Sequence, residues 1–431
     1  MGHLSGKRLF RPDAGRSAGL ARGRLRRPTL AALAGGLTVG LVGTAAGTAA
    51  AATPGWEQQA MSVPAAHAVS KGDGVTVAVI DSGIVTDQPV LAGRAENGPD
   101  FLHEDDQNES WYGLHGTAMA SDVLDVAPEA KVLGLRAIRD DEDPKYKTWN
   151  EAMKEGPGGG DAIDALRDAI YYAVKQHVDV ISMSLGDDNS FASYDEGDAK
   201  AIQYALSQGV TVVASAGNSG DLNEIDETGN GGGENNVGYP AAYPGVLTVA
   251  ATQPGGSRAT FSSVHNYVDV AAPGVDINSA DHSGNGRTPI DGTSPAAALT
   301  SGTVALLLSK YPKLSPAQVT RVMEQTASHS ASYSPLTGYG QIDAASALRG
   351  AAKVKGTGTM PVGDLGTGRH FGPGDDGTPA RTEAGIDSGY LELAAAIGVP
   401  GLLAIISGIL LTVRARKARR SAAAPAFPAA Y

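Results

Sequence analysis

The chain has 431 residues, is 42% hydrophobic and holds 57 glycines but no cysteine. Disulfides, thiolate-bound zinc and a cysteine nucleophile are excluded, so stability must come from burial, for which the length provides ample core. The formal charge of −12 is uneven: eight of the 34 Lys/Arg fall in residues 1–27 and five in 414–420, leaving 21 between them against 45 of the 46 acidic residues, so this middle carries −24, a balance that speaks against nucleic acid as a partner.

In chain order, the first segment is basic (Arg22, Arg24, Arg26, Arg27), then apolar from Leu30 to Gly47, then rich in alanine up to Thr53-Pro54. This is the three-part layout of an export signal, with cleavage placed near Ala52, so residues 1–52 are assigned as a signal peptide. A body over residues 53–350 follows. Its short apolar runs Val75–Ile80, Lys131–Ala137, Val178–Ser184, Val210–Ala216 and Val246–Ala251 read as parallel strands buried on both faces. Helical patterns alternate with them: His115–Leu124, Asp161–Gln176, Ala199–Gln208, the small-residue run Ser294–Lys310, and Ser315–Thr326 with its Ser cap followed by Pro. The alternation predicts an α/β fold with a doubly wound parallel sheet, whose sites form at the carboxyl ends of the strands.

Residues 351–389 are dense in Gly, Pro, Thr and Asp and read as a stalk. Residues 390–413 then predict one transmembrane helix. After Glu392 no charge occurs until Arg414, and these 21 residues would span roughly 31 Å at about 1.5 Å each. The basic tail 414–431, with Arg414, Arg416, Lys417, Arg419 and Arg420, marks the cytoplasmic side. With a cleaved signal, the body is expected outside the cell membrane on a single-pass anchor.

Three separated segments each set one reactive side chain among small residues: Asp81 in Val77-Ala-Val-Ile-Asp-Ser-Gly83, His115 in His-Gly-Thr-Ala118, and Ser294 in Gly292-Thr-Ser-Pro-Ala296. A serine hydroxyl needs a base to take its proton, and an imidazole needs a carboxylate to fix its tautomer. The order Asp, His, Ser therefore assigns Ser294 as nucleophile, His115 as base and Asp81 as its orienting partner. Asn218, in Ser215-Ala-Gly-Asn, follows a strand-like run and is assigned to the oxyanion hole. No cofactor is required by this chemistry. Thr228–Asn236 offers oxygens of the kind a structural calcium takes, but it has no regular ligand spacing and reads better as a solvated loop.

These blocks, together with Ile181-Ser-Met-Ser-Leu-Gly186 and Ala271-Ala-Pro-Gly274, resemble the subtilisin-like serine peptidases over about residues 56–348. The resemblance implies an endopeptidase acting on polypeptides, with Ser184, Leu185 and Gly186 binding extended substrate by strand addition. The short interval between signal and first strand, the stalk and the anchor are similar to the mycosins, the membrane-anchored proteases of type VII secretion. That likeness implies processing of secreted proteins and a place in the secretion complex. Mycosins commonly carry disulfides, which this chain cannot form. Ala298 stands where the family usually has Pro, and Ser121 where it usually has Gly. These departures motivate the alternative of a catalytically weak pseudoprotease that scaffolds a membrane complex.

Overall fold

The computed structural model describes residues 54–354 apart from 105, 155–160, 187–193, 221–234, 236 and 285, together with 407–415 apart from 409. The helices are α1 Trp56–Ala60, α2 Val63–Ala66, α3 Leu114–Val126, α4 Tyr146–Lys154, α5 Asp161–Lys175, α6 Glu196–Ser207, α7 Thr293–Lys310, α8 Pro316–Thr326 and α9 Ala344–Ala351. The strands are β1 Thr76–Asp81, β2 Ala95–Asp100, β3 Lys131–Arg136, β4 Val180–Met183, β5 Thr211–Ser215, β6 Leu247–Thr252, β7 Val270–Pro273, β8 Ile277–Ala280 and β9 Arg287–Ile290.

Seven strands form one sheet in the order β2-β3-β1-β4-β5-β6-β7, every pair parallel, and β8 and β9 form an antiparallel hairpin. Successive side chains of a strand point to opposite faces, so a strand covered on both sides is apolar throughout. On β1, Val77 and Val79 join the core that includes residues of α3, α7, α8 and α9, while Ala78 and Ile80 join the core that includes residues of α5 and α6. This is the expected doubly wound arrangement. The order turns back at β1, with β3 on one side and β4 on the other, and it is at the carboxyl ends around such a point that sheets of this kind form their sites.

Helix α7 runs through the first core, with residues 295–308 buried. Its small residues let α3 come close: a Cβ on Gly302 would lie 2.7 Å from the Val123 carbonyl oxygen. On the same side the start of the body is fastened to its end. Ser62 Oγ donates to Asp343 Oδ2 at 2.6 Å, and the Ala344 amide donates to the Met61 carbonyl at 2.8 Å. Asp343 also caps α9 by accepting from the Ser346 amide at 2.6 Å.

The five expected strands and five expected helices are all present, with ends unchanged or moved by up to three residues. The run expected over 178–184 stops at Met183, which leaves Ser184–Gly186 outside the regular ladder. The polar edge strand β2, the short β7 and the hairpin were not anticipated. Residues 1–52, most of the expected stalk and span, and all of the calcium-like segment except Asn235 lie outside the described residues. Residues 407–408 and 410–415 are helical, and among the described residues no helix is long and apolar enough to cross a membrane.

Candidate active site

Asp81 is the last residue of β1 and is fully buried. Its Oδ1 accepts the Ser82 amide at 2.7 Å. The chain then turns through Gly83 at φ +96°, where a Cβ would meet the Tyr112 ring at 2.4 Å. Helix α3 reaches this turn because its third residue is glycine: a Cβ on Gly116 would stand 2.1 Å from the Gly83 carbonyl oxygen. The close approach brings His115 Nδ1 to 2.8 and 3.0 Å from the two Asp81 carboxylate oxygens. A carboxylate only accepts, so Nδ1 carries the proton and donates, leaving Nε2 as the basic nitrogen. Burial opposes a charge on this ring. The negative charge and hydrogen bond of Asp81, with Asp140 and Asp122 further off, overcome that and raise His115 to about 9.

Ser294 is the second residue of α7, where a backbone N–H has no partner within the helix and the helix dipole favours negative charge. Its hydroxyl donates to the Ser184 carbonyl at 3.2 Å, and the Ser184 hydroxyl donates back to the Ser294 carbonyl at 2.9 Å. Among the described residues the Ser294 hydroxyl is therefore turned to Ser184 and not to the imidazole.

Asn218 follows β5 through Gly217, whose φ of +101° suits only glycine. The Asn218 side-chain oxygen accepts from both the amide and the hydroxyl of Thr293, each at 2.9 Å. That ties the oxygen down and leaves the exposed NH2 group to donate. Asn218 and Ser294 are thus joined through a single intervening residue. The Ala271–Gly274 block supports the same corner: the Gly292 amide donates to the Gly274 carbonyl at 2.8 Å, and a Cβ on Gly274 would fall 2.4 Å from the Gly292 carbonyl oxygen.

Ser184, Leu185 and Gly186 continue from β4 beside Ser294. The Leu185 carbonyl is held by Ser215 Oγ at 3.2 Å, and Gly186, at φ +97°, passes so close to Tyr239 that a Cβ would meet its carbonyl oxygen at 2.2 Å. The structure therefore joins Asp81 to His115, and Ser294 to Ser184 and, through Thr293, to Asn218. Ser121 is also used. Its hydroxyl accepts the Ala280 amide at 2.8 Å and donates to the Ala118 carbonyl at 2.7 Å, fastening β8 to α3.

Two groups near the site escape sequence reasoning. Asp140, in the loop after β3, accepts the amides of Leu114 and His115 at 2.9 and 3.1 Å. Arg136, 2% exposed, pairs with Asp100 at 2.9 Å, with Asp143 at 3.1 Å and with Asp106. Arg139 pairs with Glu104 at 2.8 Å and Asp143 at 2.6 Å. Glu104, Asp106 and Asp143 converge as the ligands of a cation would. Their charge is already met by two guanidiniums, and the Arg139 bond holds Glu104 down at about 2, so these residues do not fit a metal. In sequence, Arg139–Asp143 reads only as a charged loop.

The Subtilase family (peptidase S8) matches residues 72–360. Subtilisin DY of Bacillus licheniformis is 34% identical over 60% of this chain and 85% of its own length. Mycosin-1 of Mycobacterium tuberculosis (strain ATCC 25618 / H37Rv) is 34% identical over 68% of this chain and 73% of its own. Among solved structures, the MycP3 protease from the type VII (ESX-3) secretion system superposes with a TM-score of 0.55 at 29% identity, covering 68% of this chain and 88% of that one. The chain belongs to the subtilase family and is a subtilisin-like serine endopeptidase, with mycosins among its relatives.

Proposed function

We propose that this endopeptidase works through Asp81, His115 and Ser294 at the outer face of a membrane, as a mycosin-like processing protease of type VII secretion. The observation that carries the reading is the hydrogen-bonded Asp81–His115 pair at the carboxyl end of β1, with Ser294 at the start of α7 and Asn218 joined to it through Thr293. In this reading, polypeptide is bound as an added strand along Ser184–Gly186. The Ser294 hydroxyl gives its proton to His115 Nε2 as Oγ bonds to the scissile carbonyl carbon. The resulting oxyanion accepts from the Asn218 NH2 and the Ser294 amide. His115 returns the proton to the leaving amine as the C–N bond breaks, and water then hydrolyses the acyl-enzyme by the same steps in reverse. Asp81 holds the ring throughout. The tether is the 390–413 segment, and the mycosin relatives support the secretion role.

A fluorophosphonate probe applied to the full-length protein in membranes is expected to label the wild type and to leave Ser294→Ala unlabelled. Equal labelling of the two would overturn the assignment of Ser294. The second reading, a scaffold with little turnover, is favoured by the bond that engages the Ser294 hydroxyl at Ser184. An unlabelled wild type that still supports secretion would select it.

A further inference from the structure

The first turn of any helix has amides without partners inside the helix. In α3 this turn bears His115, yet its N-cap is Gly113, which has no side chain to offer, and no acidic residue lies in the turn. The missing acceptors come from elsewhere in the chain. Asp140 takes two amides, those of Leu114 and His115, with its two oxygens. Ser82, next to Asp81, takes the third, that of Gly116, at 3.1 Å, and its hydroxyl also faces Asp140. Asp140 is 7% exposed. A buried carboxylate bonded twice to one helix start fixes that start more firmly than a solvated cap would, and bonds to a charged acceptor are the stronger kind.

We infer that Asp140 is a positioning residue of this active site: its carboxylate holds the backbone that carries His115 and sets a second negative charge beside the imidazole. The inference rests on the proton-transfer reading above. Asp81 fixes the ring from its Nδ1 side, and Asp140 fixes the main chain beneath it. The charged groups bearing on the ring are Asp81 from the end of β1, Asp140 from the loop after β3 and Asp122 from α3 itself. Those bearing on Asp140 are His115 and Asp81; burial outweighs the pull of His115 and leaves its carboxyl raised to about 6. The neighbouring Arg139 is engaged with Glu104 and Asp143. A residue that merely stabilised the loop would not move the titration of His115.

The test uses Asp140→Asn, which keeps the shape, removes the charge and can accept with one oxygen only. In a Ser294→Ala background, which prevents self-digestion, the NMR titration midpoint of His115 is expected to fall by about one pH unit. In the active protein the alkaline plateau of kcat should fall on the order of tenfold with KM within about twofold, as displacement of a base predicts. The acid limb of kcat/KM should move to lower pH. If Asp140→Asn does not fold, Asp140→Ser, which keeps one acceptor and drops the charge, gives the same readings. An unchanged midpoint and plateau in a folded variant overturns the inference, and failure of both variants to fold makes Asp140 a structural cap and overturns it too. Fluorophosphonate labelling separates the two readings: an unlabelled wild type defeats the proton-transfer scheme itself. A labelled wild type with an unaltered Asp140→Asn defeats only the role of Asp140.

Discussion

His115 lies against the Asp81 carboxylate with Asp140 nearby, and its pH behaviour follows from that position. The ring works as a base only when neutral. Its value of about 9 therefore places the acid limb of kcat/KM well above the ordinary imidazole range. A profile recorded from pH 5 to 10.5 should rise through the alkaline region, and a limb centred near 6.5 would contradict it. Stability has the opposite slope. A histidine raised on folding contributes fully below its unfolded value near 6.5, and that contribution is lost as pH rises through the folded value. The stability gap between Ser294→Ala and Ser294→Ala/His115→Ala should accordingly narrow between pH 7 and pH 10. The four chemical groups were legible in the sequence because each is embedded in residues that the geometry demands locally, such as Gly116 against Gly83. Asp140 was not legible. It caps a helix 25 positions earlier in the chain, and no local pattern records which distant helix a charged loop will meet.

At the scale of elements, the site depends on how closely α3, β1 and α7 approach. Gly116→Ala would drive a methyl into a backbone oxygen that cannot move without moving the end of β1. A cost of about 1–3 kcal/mol or more is expected from such overpacking. It should be read as a lower urea midpoint together with slower fluorophosphonate labelling, because the displaced helix carries His115; unchanged values for both would mean that the contact relaxes freely. The central strands and α7 were readable from the sequence because burial on both faces makes them continuously apolar. The strand β2, with the sequence Ala-Glu-Asn-Gly-Pro-Asp, was not. It lies at the sheet edge, is half-exposed and is held by pairing to β3, so its side chains carry no period. The hairpin β8–β9 was missed for a similar reason: β9 is only partly buried and contains a proline.

For the whole molecule, the proposed single anchor at residues 390–413 makes a prediction about place. Fractionation should place the full-length protein in the membrane pellet, resistant to carbonate extraction, and a chain ending after Val354 should be released as an active soluble domain. Recovery of the full-length protein in the carbonate supernatant would remove the tether from the proposal. The way the body is closed has a mechanical consequence. Its first helices and its last one are fastened by Ser62 to Asp343 and by Met61 to Ala344. Because α9 shares its core with α7, the helix that carries Ser294, a pull exerted on the chain beyond α9 would bear on this clasp and on the packing behind the reacting hydroxyl together.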